Sequence, residues 1–249
     1  MLHDFTKDEF DIILQAGQSN SYGCGRGPAT EPFEPRGDLY YLTNDFILSR
    51  AQEEIWGNDT IGNFALPFAV RYIRDGRLAS GRKLLIVRAP VGGTGFLDKR
   101  WGLQDDLFLT MMDMTRTALS LNTANRLVAF LWHQGETDAF LGASRDVHFN
   151  NLSTLLRTVR DTFGTPALPF VAGDFVPHWR EANEGICRPV LQAIEDVCRT
   201  SVNARFVGTE GLLSNEQKVG IEDTIHFCRE SLNELGLRYY DAYRDIVGE

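Results

Sequence analysis

Five short runs of almost unbroken apolar residues set the limits on how this chain can fold. They are FDIILQ (10–15), LLIVRAP (84–90), RLVAFLW (126–132), LPFVAG (168–173) and ARFVG (204–208). Runs that are apolar at successive positions suit strands covered on both faces, as in a parallel sheet. Between them lie helical patterns. Residues 60–75 bring Phe64, Phe68, Ala69, Tyr72 and Ile73 to one side and stop at Gly76. Residues 103–121 space Leu107, Met111, Met114, Ala118 and Leu121 by three and four. Residues 144–163 repeat the pattern before Gly164 and Pro166, and 184–200 and 229–246 complete the set. Strands alternating with helices imply right-handed crossovers and a parallel sheet of about five strands with helices on both faces. The 249 residues are read as one domain, 1–249. The stretch 21–58, with Pro28, Pro32 and Pro35, fits the pattern worst and reads as an irregular excursion.

Composition removes several classes of function. A formal charge of −9 argues against a nucleic-acid-binding surface and against attraction to an anionic membrane. Cys24, Cys187, Cys198 and Cys228 form no CxxC pair, which reads as reduced thiols in a cytoplasmic protein. Cys228 is expected as a buried neighbour of the site described next. The first residues, MLHDFTKDEF, are charged and carry no apolar signal core.

In a parallel α/β sheet, ligands bind outside the carboxyl ends of the strands. The first run is followed by Gly17, Gln18, Ser19 and Asn20, and the second by Val91, Gly92, Gly93, Thr94 and Gly95. The third ends in Trp132, His133, Gln134, Gly135, Glu136, Thr137 and Asp138, and after the fifth comes Asp223-Thr224-Ile225-His226-Phe227. Taken singly, each has an ordinary reading. Ser19 is a turn or helix-cap residue, the glycines mark a turn, and His226 is a packed histidine. His133 and Glu136 lack the HExxH spacing and any Cys/His cluster, so no metal is expected. Their coincidence at strand ends points to nucleophilic catalysis. Asp223, three residues before His226, can orient the imidazole through Nδ1, leaving Nε2 free as a base for the Ser19 hydroxyl. The Ser19 and Gly93 N–H groups and the Gln134 amide are candidate donors to a developing oxyanion.

Together GQSN (17–20), GGTG (92–95), HQGETD (133–138) and DTIH (223–226) resemble the sialate O-acetylesterase-like, carbohydrate esterase family 6 branch of the SGNH hydrolases. The four blocks occur in the family's order and span nearly the whole chain. Gln18 and Gln134 distinguish this branch from GDSL lipases. The resemblance implies a three-layer, flavodoxin-like α/β/α sandwich. It implies Ser19 as nucleophile, His226 as base, Asp223 as its acid, and Ser19, Gly93 and Gln134 as the oxyanion hole. Glu136 is an alternative acid or a supporting residue. Gln18, Asn20, Trp101 and Phe227 are candidates for a substrate pocket, and Asp174, His178 and Trp179 for a pocket particular to this chain.

The expected activity is hydrolysis of an acetyl ester on a carbohydrate or related small molecule, through an acyl-enzyme and without a cofactor. A general short-chain carboxylesterase and a non-catalytic carbohydrate-binding module are the alternatives.

Overall fold

A computed structural model describes residues 3–28, 33 and 36–248. The chain opens with β1 (Phe10–Gly17) and one helical turn, α1 (Ser19–Tyr22). Next come β2 (Leu39–Leu42), β3 (Leu48–Arg50), β4 (Glu54–Trp56), β5 (Asp59–Ile61) and α2 (Ala65–Arg74). The middle comprises β6 (Lys83–Arg88), α3 (Asp106–Ser120), β7 (Arg126–His133), α4 (Glu136–Phe140) and α5 (Arg145–Thr162). The last part comprises β8 (Phe170–Gly173), α6 (Pro177–Ala182), α7 (Glu184–Thr200), β9 (Ala204–Val207), α8 (Asn215–Val219) and α9 (Arg229–Val247).

The five strands expected from the apolar runs are β1, β6, β7, β8 and β9, all parallel to their neighbours. The sheet itself has seven strands, in the order β3-β2-β6-β1-β7-β8-β9, so the count of five is corrected. Both additions come from the stretch read as irregular. Leu39-Tyr40-Tyr41-Leu42 is buried throughout and pairs parallel to β6, and β3 folds back antiparallel on β2 as the edge. Four apolar residues are too short a run to show a period, so burial on the sheet decides the strand. β4 and β5 form a separate two-stranded ribbon. Pro32 and Pro35 lie outside the described residues.

β1 is buried at every position, including Asp11 and Gln15. A buried carboxylate needs partners, and Asp11 has Arg82 and Arg126 at 2.7 Å and the Tyr72 hydroxyl at 2.8 Å. Helices α7 and α9 both pack on β8 and β9. Gly173 shows why that fit is close: a Cβ there would lie 2.5 Å from the Tyr239 hydroxyl of α9. After β1 the chain builds the sheet on one side through β2 and β6, then crosses to the other side through β7. The connections therefore diverge at β1, and the crevice at its carboxyl end is the binding position this topology creates.

Candidate active site

The end of β1 is pressed against the end of β7. Gly17 has φ +126°, and a Cβ there would fall 2.1 Å from the His133 carbonyl oxygen, so only glycine allows the approach. The Gln18 N–H donates to that oxygen at 2.9 Å, and the Val91 N–H donates to Gly17 O at 3.1 Å. These bonds fix the turn whose next residue is Ser19, the first of α1.

Ser19 Oγ lies 2.9 Å from His226 Nε2. On the other side of the ring, His226 Nδ1 is 2.9 and 3.0 Å from the two Asp223 carboxylate oxygens. The structure thus brings together the three residues expected from the strand ends. Burial alone would raise the Asp223 carboxyl pKa, but bonds from His226 and Asn215 outweigh it and hold it below the usual value. Asn215 was not expected. Its Nδ2 donates to Asp223 Oδ2 at 2.8 Å and to Cys24 O at 3.0 Å, while its Oδ1 accepts from the Arg26 N–H at 2.8 Å. Its backbone N–H also reaches His226 O at 2.9 Å. One side chain therefore joins the acid to the segment after the nucleophile. It sits eight residues before Asp223 in no motif, so no local signal marked it.

The glycine loop runs beside the serine: a Cβ on Gly92 would lie 3.6 Å from Ser19 Cβ. Gly93 is exposed, in the left-handed region at φ +69°. Neither the Ser19 nor the Gly93 N–H has a protein acceptor among the described residues. Asp138 holds the loop from behind, accepting from the Phe96 N–H at 3.0 Å and the Leu97 N–H at 2.8 Å. Its burial is outweighed by the nearby His148 and these amides, so its pKa is lowered.

The geometry corrects several expectations. Gln134 is fully buried, and its Nε2 is engaged by Asp138 at 2.8 Å, with Thr94 O at 3.3 Å and Gln18 Oε1 at 3.4 Å. It braces the glycine loop and is no free oxyanion donor. Trp101 is buried against Trp132, its indole N–H on Thr94 Oγ1 at 3.0 Å, so it supports that loop from inside and lines no pocket. Phe227 is buried against His133. Asn20 is buried, with its amide turned inward. Gln18 is nearly buried, its Oε1 accepting from the Thr137 N–H at 3.2 Å, while its Nε2 has no protein partner among the described residues.

Glu136 does not touch the Nδ1 side of His226. It is buried, and its Oε1 accepts from Asn20 Nδ2 at 2.8 Å. Burial pushes its carboxyl pKa up, with the Asn20 bond opposing. His133 is also buried, and its pKa is pushed down to about 3. The Tyr239 hydroxyl donates to Trp132 O at 2.9 Å, so it accepts from His133 Nδ1 at 3.0 Å, which places the ring proton on Nδ1. Cys228 is buried, its thiol on Ser231 Oγ at 3.2 Å, and burial raises the Cys24 thiol to about 11. Asp174 pairs with Arg180, Trp179 is buried against Phe175, and His178 meets Glu216 at 3.0 Å on the surface. A hollow of about 470 Å³ lined by Asp174, Arg180, Glu184 and Glu195 opens there, and its lining includes neither Ser19 nor His226.

The polar site thus lies at the carboxyl edge of the central strand of a mostly parallel seven-stranded sheet. Residues 9–245 match the model of a carbohydrate esterase family described as sialic acid-specific acetylesterase, and the chain belongs to that family. A probable carbohydrate esterase of Arabidopsis thaliana is 27% identical over 164 residues, covering 64% of this chain and 54% of that protein. A probable 9-O-acetyl-N-acetylneuraminic acid deacetylase of Escherichia coli (strain K12) is 29% identical over 89 residues, 33% of this chain and 27% of that protein. The matched stretches thus span about half and about a quarter of those curated relatives. Among solved structures, NanS matches with a TM-score of 0.80 at 17% identity, covering 96% of this chain and 97% of that one. A protein from Arabidopsis thaliana matches at 0.74 and 20% identity, covering 94% and 98%. These likenesses show the fold.

Proposed function

We propose that the protein is a serine O-acetylesterase that removes acetyl groups from a carbohydrate. The observation that carries this reading is the 2.9 Å approach of Ser19 Oγ to His226 Nε2, with Asp223 on the opposite ring nitrogen. As Ser19 Oγ bonds to the acetyl carbonyl carbon, its proton passes to His226 Nε2. The carbonyl oxygen becomes an oxyanion, received by the Ser19 and Gly93 N–H groups. Asp223 stabilises the imidazolium and keeps the ring oriented. The carbon–oxygen bond to the sugar then breaks, His226 returns the proton to the leaving alcohol, and acetyl-Ser19 remains. Water, deprotonated by His226, attacks that ester, releasing acetate and regenerating Ser19.

The family and the name of the Escherichia coli relative support an acetylated sugar as substrate. The fold, organised around β1, acts in this reading as one esterase domain. A reducing, cytoplasmic setting agrees with four unpaired cysteines. Among the described residues no helix is long and apolar enough to cross a membrane. Release of acetate from a panel of O-acetylated sugars, including O-acetyl sialic acids and xylan fragments, tests the reading. Turnover of simple aryl acetates with none of the sugars would move the assignment to a general short-chain esterase.

A further inference from the structure

Asn20, the residue after the serine, makes a set of contacts that the esterase reading does not use. Its Nδ2 donates to Ile225 O at 3.0 Å, and its Oδ1 accepts from the Phe227 N–H at 3.1 Å. These are the two residues flanking His226. The second Nδ2 hydrogen goes to Glu136 Oε1, at 2.8 Å, on the first residue of α4. Asn20 and Glu136 are both fully buried. A carboxamide buried in this way has two donors and an acceptor to satisfy, and here each finds a partner, two on the loop that bears His226 and one on α4. The loop bearing His226 therefore hangs, on both sides of the histidine, from the residue adjoining Ser19. Glu136 adds a third partner that accepts only from the NH₂ end, so the amide cannot turn over without setting like against like.

We infer that Asn20 and Glu136 form a clamp that sets the His226 ring against the Ser19 hydroxyl, making both of them positioning residues for the reaction. The inference rests on the Ser19–His226 reading. Neither residue touches the reacting atoms; both act through the backbone of 225–227. A misplacement of about 1 Å at such a contact can reduce turnover by roughly a hundredfold, which gives the clamp its leverage. The requirement on Glu136 is an acceptor, which a glutamine side-chain oxygen also provides. The requirement on Asn20 is a donor to Glu136 and Ile225, which an isosteric aspartate lacks.

The test measures kcat and KM for 4-nitrophenyl acetate, with the melting temperature of each variant. Asn20→Asp should lower kcat by roughly 10- to 100-fold while leaving KM within about twofold, because positioning and not binding is lost. Glu136→Gln should retain most of the turnover that Glu136→Ala loses. The double variant Asn20→Asp with Glu136→Gln reverses donor and acceptor, since the amide introduced on α4 can donate to the carboxylate introduced beside Ser19. It should recover at least about fivefold over Asn20→Asp alone, the non-additivity expected of residues in direct contact. Wild-type kcat in Asn20→Asp, or a double variant no better than the single, would overturn the clamp. Equal collapse of Glu136→Gln and Glu136→Ala would also overturn it, by placing the carboxyl charge itself in the chemistry. A fall in melting temperature with unchanged kcat would reduce the pair to a structural bond. Failure of the underlying reading looks different: Ser19→Ala would then keep wild-type turnover, whatever the clamp variants do.

Discussion

Ser19 Oγ and His226 Nε2 lie 2.9 Å apart, although 207 positions separate the two residues in the chain. The contact crosses from the end of the central strand to a loop near the C-terminus. It is maintained by side chains that belong to neither residue, and Asn215 is one of them, binding Asp223, Cys24 O and the Arg26 N–H together. Removing a bond to a charged group costs about 1.5–3 kcal/mol. Asn215→Ala should therefore lower kcat by roughly tenfold or more, since one factor of ten is about 1.4 kcal/mol. Asp223→Asn should do more, roughly 10⁴-fold in kcat, by favouring the wrong ring tautomer while keeping the shape. Steady-state kinetics on an aryl acetate ranks the two. An Asn215→Ala loss as large as that of Asp223→Asn would contradict its supporting place.

Two glycines beside the serine should respond very differently to a methyl group. At Gly17 the added carbon meets the His133 carbonyl at 2.1 Å on a backbone at φ +126°, where neither strand end has room to yield. Strain and overpacking together predict a loss of about 3 kcal/mol or more for Gly17→Ala. Gly93 has nothing within 4 Å of the added carbon, so only its left-handed backbone is penalised. Gly93→Ala should cost about 1–2 kcal/mol. Urea denaturation of both variants measures the difference, and equal losses would refute the close approach at Gly17.

Five of the seven strands of the sheet were legible because they are apolar at nearly every position. β2 was not, since LYYL is four residues long and follows a segment with three prolines. The residues proposed to carry the chemistry were legible for a related reason. Ser19, His226 and Asp223 sit where the strand–loop pattern placed polar residues at one edge, and a separation of three lets acid and base share a turn. What surrounds them was not. Trp101, Phe227 and Gln134 have side chains suited equally to a pocket wall and to a strut, and only three-dimensional packing shows that here they are struts. Asn215 has no spacing relation to any motif, so its bond to Asp223 is a product of the tertiary fold alone.

His133 should leave a mark on acid stability. Its pKa is ordinarily near 6.5 and is about 3 in the folded protein, where the ring is buried and neutral. Between those values the unfolded chain carries a proton that the folded one does not. Stability from this group is therefore complete above pH 6.5 and is lost as pH falls towards 3. The full effect is on the order of 4–5 kcal/mol, at about 1.4 kcal/mol for each pH unit. Glu136, with its raised pKa, works in the opposite sense, losing stability as pH rises above the ordinary carboxylate value. His133→Asn removes the titrating ring and keeps a donor near the Nδ1 position. Its melting temperature should fall less steeply than that of wild type between pH 6.5 and 4. Parallel curves for the two proteins would contradict a buried neutral histidine.

The central claim is that Ser19 carries the acetyl group. The most direct measurement is incubation of wild type and Ser19→Ala with 4-nitrophenyl acetate, followed by mass spectrometry of the rapidly quenched protein. Wild type should turn over and show a single acetyl adduct on the peptide containing Ser19, while Ser19→Ala, folded by its melting curve, should lose at least roughly 10³-fold in kcat and show no adduct there. Wild-type turnover in Ser19→Ala, or an adduct on another residue during turnover, would contradict the account.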